Sequence, residues 1–162
     1  MARDEAKSQP HIQPIAQNRR ALHDFEILDT IECGIALTGT EVKSLRQNRV
    51  ALDQAYARIQ DGEVWLLQCD IPEYSAAAYG NHDPKRPRKL LLHRREIARL
   101  AGKVSQKGCT LIPLQLYFKN GKAKVKLAVA RGKKRYDKRQ QIKEAEARRE
   151  IARALARKPR RR

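Results

Sequence analysis

The chain has 162 residues, material for one domain of ordinary size with about thirty residues left for its ends, and it carries 36 Lys and Arg against 18 Asp and Glu, a formal net charge of +18. With a pI near 10.3, such an excess calls for a polyanionic partner. It excludes a membrane partner for want of an apolar face, a lipidation signal or a spanning run, and Met1 to Pro14 lacks the apolar centre of a signal peptide. A cytoplasmic, nucleic-acid-binding chain is the expectation.

In chain order, residues 1–17 are polar, contain Pro10 and Pro14, and show no sustained period, which predicts a disordered arm. From Phe25 the pattern alternates: Phe25, Ile27, Ile31, Cys33, Ile35 and Leu37 share one parity, with Glu26, Thr30, Glu32 and Ala36 on the other. That is a long strand, bent near Gly34. Thr38 and Glu41 have capping-box spacing before a short helix over about 39–47. Tyr56 to Gln60 and Glu63 to Ile71 flank Asp61-Gly62, whose tolerance of positive φ predicts a tight hairpin turn.

Pro72 to Arg88, with three prolines and five basic or acidic side chains in its second half, predicts an exposed, mobile, basic loop. Leu90 to Leu92 reads as a brief buried strand, and Arg94 to Ala101 as a helix stopped by Gly102. A second hairpin, Leu111 to Phe118 and Lys122 to Arg131, turns across Asn120-Gly121. In its last strand Val125, Leu127 and Val129 face a core while Lys122, Lys124 and Lys126 form an electropositive strip. About six short strands with two or three short helices and no βαβ repeat predict a mainly β fold, an OB-like closed β-barrel over 18–131.

The remaining segment, 132–162, is a basic tail: positions 131–162 hold 15 Lys and Arg against 4 Asp and Glu. It is rich in helix formers, but Ile142, Ile151 and Leu155 are too few apolar residues to bury a normal helix face. Disorder in the free chain, with folding on a polyanion, is the expectation. Tyr136 is the tail residue best suited to stack on a base.

No catalytic constellation is legible. Cys33, Cys69 and Cys109 are odd in number and widely spaced, and read as buried free thiols. His11, His23, His82 and His93 show no metal-ligand spacing, and no cofactor is implied. Thr38-Gly39-Thr40 stands in no phosphate-loop motif, and the four serines stand in no nucleophile-elbow context.

Five blocks carry a family resemblance: Asn18-Arg19-Arg20; Gly39 to Arg46; Asn81 to Pro84 with Arg86 to Leu92; Tyr117 to Gly121; and Gly132-Lys133-Lys134 with Tyr136 to Arg139. In this order the chain, from about residue 18 to about 155, resembles the SsrA-binding protein (small protein B) family of bacteria. The resemblance implies a non-enzymatic OB-like barrel that binds the tRNA-like domain of transfer-messenger RNA and delivers it to stalled ribosomes for trans-translation. Elongation factor Tu and alanyl-tRNA synthetase are implied as partners through the RNA.

By position, the resemblance implies that Glu32, Leu91 and Lys124 contact the D-loop and elbow region of that RNA, with Asn18, Glu41, Lys43, Asn81, His82, Arg88 and Lys89 as further RNA-binding candidates. It implies a tail that becomes helical in the mRNA channel of the small subunit near the decoding centre, through Gly132, Lys133, Lys134, Tyr136, Asp137, Lys138, Arg139, Ile142 and Lys143. The chain departs from the family pattern around residues 73–80, at Gln140-Gln141 and in the Arg-rich end. Two other classes compete: a protein that coats ribosomal RNA without selectivity, and an RNA-cleaving or modifying enzyme with a cryptic site.

Overall fold

A computed structural model describes residues 11–77, 80–133 and 135–156, with only the backbone for 135–141 and 154–156. The elements run β1 (Ile12–Gln17), α1 (Arg19–Asp24), β2 (Phe25–Ile35), α2 (Gly39–Arg46), β3 (Tyr56–Gln60), β4 (Glu63–Leu67), β5 (Arg88–Leu91), α3 (Arg94–Val104), β6 (Cys109–Lys119), β7 (Lys122–Gly132) and α4 (Arg135–Ala156). The protein is mainly β, and the described strands form one seven-stranded sheet. The described residues up to Arg131 form one compact unit and those from Gly132 onward a second.

The sheet order is β1-β6-β3-β4-β5-β2-β7, and β6 also pairs with β7, so six of the strands join in a ring with β1 attached to β6. Length makes this possible: β6 has eleven residues, meets β3 at Leu111, and gives its other end, Gln115 to Lys119, to β1. The ring encloses Leu45, Val64, Leu66, Leu90, Leu111, Leu116, Val125 and Leu127, all essentially inaccessible to water. At about 25 cal/mol per Å2 of apolar surface removed from water, such a cluster supplies the main favourable contribution to folding.

Both hairpin turns form as expected. Asp61 (φ 52°) and Gly62 (φ 73°), and Asn120 (φ 49°) and Gly121 (φ 76°), all lie in the left-handed region, where Asn, Asp and Gly are the least strained residues. The β2 alternation is also observed, with Cys33 and Ile35 buried and Glu26, Leu28, Thr30 and Glu32 exposed.

Several expectations need correction. Ile12–Gln17, expected in a disordered arm, is a strand paired antiparallel with β6; a solvated edge strand needs no apolar alternation of its own when its partner supplies the ladder. The first ten residues of that arm lie outside the described residues. Helix α1 was not anticipated, because its cap, Asn18, is recognisable only once its side-chain oxygen is seen to accept from the Ala21 amide at 2.9 Å. Gly102 does not stop α3, which continues to Val104; its Cα faces open space, and one glycine costs only about 1 kcal/mol in a helix. Strand β4 ends at Leu67 rather than near Ile71, since Gln68 has φ 55°.

On β7 Lys122 and Lys126 are exposed and Lys124 half-buried on the face opposite Val125, Leu127 and Val129. Beyond Lys126 the same face carries Ala128 and Ala130, which are buried with Ala21, Ile112 and Leu114 in a second small core under α1. The second unit is helical over Arg135–Ala156. Its Ala, Glu, Arg, Gln and Lys content favours helix, as does the three- and four-residue spacing of Glu144/Arg148 and Glu150/Arg153.

Candidate nucleic-acid interface

The outer face of the ring is assembled from residues of alternate parity on β5, β2, β7 and β6. On β2 this parity carries Glu32 and Gly34. Gly34 pairs with Leu91 of β5, and a Cβ on Gly34 would stand 3.2 Å from the Leu91 Cβ. Glycine therefore lets Leu91 lie across β2, where it remains 51% exposed. An aliphatic side chain half in water is not core packing, so Leu91 is a surface residue rather than part of a buried strand.

Glu32 is fixed by two residues of β6. The Tyr117 hydroxyl donates to its Oε2 at 2.6 Å, and Lys119 Nζ donates to Oε2 and Oε1 at 3.0 and 3.1 Å. Lys124, paired in register with Tyr117, adds its positive charge. The Tyr117 hydrogen bond, opposed by partial burial and joined by Lys119 and then Lys124, holds the Glu32 carboxyl below the usual carboxylate range. Burial first, and donation to Glu32 second, push the Tyr117 phenol up, so it keeps its proton. Glu32 and Tyr117 also line a surface hollow with Ile12, Thr30, Gln115 and Lys126.

A second cluster lies inside the chain segment expected to be an exposed loop. Glu41 is wholly buried on α2 and accepts from Arg86 Nε and Nη2 at 2.7 and 2.6 Å, from Arg88 Nε at 2.8 Å, and from the Thr38 amide at 2.7 Å. Arg88, also wholly buried, donates onward to the Cys69 and Pro84 carbonyls. Burial alone raises the Glu41 carboxyl, but the Arg86, Thr38 and Arg88 interactions outweigh it and leave the group below its ordinary value. His82 is buried with Nε2 against the Ile71 carbonyl (2.8 Å) and Nδ1 against the Thr40 hydroxyl (2.9 Å); because a carbonyl only accepts, Nε2 carries the proton. The loop is thus tied down through the very residues that made it look solvent-exposed.

These contacts sort the sequence candidates. Glu32, Leu91 and Lys124 come together on the outer face of adjacent strands, and Lys89 shares the parity of Leu91 on β5, where it is ion-paired with Glu63. Lys43 and Asn81 meet on a separate patch: the Lys43 ammonium lies 5.4 Å from the Tyr74 ring centre, and the Asn81 amide clasps the Tyr74 backbone at 3.1 and 3.0 Å. Asn18, Glu41, His82 and Arg88 are buried, with polar atoms committed to the protein; Asn18 Nδ2 donates to the Leu52 carbonyl at 2.9 Å. Their side chains hold the scaffold and offer no surface to a partner.

In the second unit, Gly132, Ile142 and Lys143 are exposed and Lys133 is half-buried. Tyr136, Asp137, Lys138 and Arg139 lie in the backbone of α4, and Lys134 lies outside the described residues. Tyr117, Lys119 and Gly34 are the residues sequence reasoning missed as parts of the Glu32 site; the only signal was the Tyr117-to-Gly121 block, which carries no indication that β6 side chains reach β2 across β7.

Among the described residues there is no group of three metal-ligating side chains, and no helix is long and apolar enough to cross a membrane. Cys33 and Cys69 are buried free thiols as expected, pushed up to about 12 and about 11 by burial, while Cys109 is half-exposed.

A basic β surface on which one carboxylate is ion-paired with Lys119 and hydrogen-bonded by Tyr117 is the arrangement of a polyanion-binding β protein. The model of the SmpB protein family matches residues 15–157, and this chain belongs to that family. It is 62% identical over 143 residues to the SsrA-binding protein of Acidothermus cellulolyticus, covering 88% of this chain and 90% of the relative, and 60% identical over 143 residues to that of Thermobifida fusca, covering 88% and 89%. The SsrA-binding protein of Symbiobacterium thermophilum is 56% identical over 151 residues, covering 93% and 96%. A solved chain from work described as "tmRNA-SmpB: a journey to the center of the bacterial ribosome" superposes with a TM-score of 0.64 at 53% identity, covering 78% of this chain and 93% of that one.

Proposed function

We propose that this protein binds the tRNA-like domain of transfer-messenger RNA with its β unit and delivers it to stalled ribosomes for trans-translation, acting in the cytoplasm without catalysis. The observation that carries the reading is the convergence of Glu32, Leu91 and Lys124 on one outer sheet face, in a chain whose close relatives are SsrA-binding proteins. Lys124 supplies a phosphate contact, Leu91 an apolar contact, and Glu32 accepts from base or ribose donors, a role no cation can fill. Lys89 extends the basic surface beside Leu91, and Lys43 and Asn81 offer a second patch at Tyr74.

The ring of strands is an OB-like barrel in this reading, since closure leaves few free edges and presents one curved face to RNA. The unit from Gly132 onward enters the mRNA channel of the small subunit as the α4 helix, with Lys133, Lys134, Tyr136, Asp137, Lys138, Arg139, Ile142 and Lys143 toward ribosomal RNA. Elongation factor Tu and alanyl-tRNA synthetase join through the transfer-messenger RNA.

The test is competition between the tRNA-like RNA and bulk tRNA across a salt series, with wild type and Lys124→Ala. Selective retention of the tRNA-like RNA is expected, and Lys124→Ala lowers the magnitude of the salt slope by about 0.7 for one lost phosphate on a single strand. Equal competition by bulk tRNA at every salt concentration would instead support general coating of ribosomal RNA.

A further inference from the structure

The Glu32 carboxylate faces a polyanion in the reading above, and two features of its surroundings give its β6 partners different roles. Oε2 is occupied by the Tyr117 hydroxyl and Lys119, whereas Oε1 holds Lys119 alone and keeps an acceptor position free, on a side chain 38% exposed. An RNA donor has one direction of approach.

The two partners also respond differently to RNA. Lys119 is a flexible, partly exposed cation, and arriving phosphates compete with Glu32 for its ammonium. Tyr117 is uncharged, the residue is 7% exposed, and its Cα is fixed between Pro14 of β1 and Lys124 of β7. No phosphate draws the phenol away by charge. Lys124 and Lys126 on β7 complete the charged surroundings of the carboxylate.

We propose that Tyr117 is a positioning residue for RNA recognition, holding Oε2 of Glu32 so that Oε1 presents its free acceptor position to an N–H or O–H donor of the tRNA-like RNA while Lys119 is released to phosphate. This rests on the reading of Glu32 as an RNA contact. It assigns Tyr117 no contact of its own with the nucleic acid.

The experiment is a double-mutant cycle on the full chain, measuring affinity for the tRNA-like RNA with Tyr117→Phe, Glu32→Ala and the pair, each over a salt series. Tyr117→Phe keeps the buried ring and removes only the hydroxyl. It is expected to weaken binding about tenfold, the effect of one charge-assisted hydrogen bond, with the salt slope unchanged, and to cause no further loss in the Glu32→Ala background. Carbon-13 NMR of the RNA-free variant should show the Glu32 carboxyl titrating at higher pH than in the wild type, a change that a general loss of packing does not produce.

Full-strength binding by Tyr117→Phe, or an equal loss with and without Glu32, overturns the positioning role while leaving the Glu32 contact standing. Unchanged binding by Glu32→Ala removes the contact itself, and the positioning role with it.

Discussion

Glu41 and Glu32 are both carboxylates surrounded by cations, yet burial gives them opposite duties. Glu32 keeps a free acceptor position at the surface, while Glu41 has its oxygens occupied by Arg86, Arg88 and the Thr38 amide inside the fold. Replacing Glu41 by Gln leaves the wholly buried Arg88 guanidinium without its counter-charge, and a loss of about 3–5 kcal/mol is expected in denaturant unfolding. The pH dependence has a definite sign. The folded-state value of Glu41 is lowered, so its contribution is complete above the ordinary value of 4.5 and is lost as pH falls through the lowered one. Glu41→Gln should therefore flatten the acid limb of the stability profile below about pH 5; a limb as steep as that of the wild type would show that other carboxylates control acid unfolding.

At the scale of the element, a strand must deliver Glu32 and also admit Leu91 from its neighbour. Gly34 on β2 permits this, because a side chain there would meet Leu91. Gly34→Val suits the strand backbone but displaces Leu91, so RNA affinity should fall while the fold survives with an overpacking cost of about 1–3 kcal/mol. Parallel RNA-binding and thermal-unfolding measurements check it, and unchanged affinity would remove Leu91 from the interface. The reason for the glycine at position 34 was not legible in the sequence: the residue it accommodates is 57 positions away and becomes a neighbour only through β2–β5 pairing. Hairpins were the most legible elements, since Asp61-Gly62 and Asn120-Gly121 encode their own backbone angles. The 72–88 loop was the least, because Arg86, Arg88 and His82 look like solvent residues until the carboxylate and carbonyls that receive them are in place.

For the whole molecule, the proposed function assigns RNA selection to the first of the two units and ribosome engagement to the second. Removing residues 132–162 should leave binding of the isolated tRNA-like RNA within about twofold, because the Glu32 surface lies wholly in the first unit. The same truncation should abolish tagging of stalled nascent chains in a reconstituted translation reaction. Retained tagging would show that the second unit is dispensable.

The amino-acid sequence by itself determined the polyanionic partner, the mainly β character, both hairpin turns and the family, because net charge, alternation, turn chemistry and ordered motif blocks are local properties that survive without a fold. Tertiary structure alone decided which polar and charged side chains are available to that partner. Asn18, Glu41, His82 and Arg88 share motif blocks with true surface residues, and only strand pairing across tens of residues turns them inward while it carries Tyr117 to Glu32. Burial and hydrogen-bond partnership are properties of pairs, and a sequence states only one member of a pair at a time.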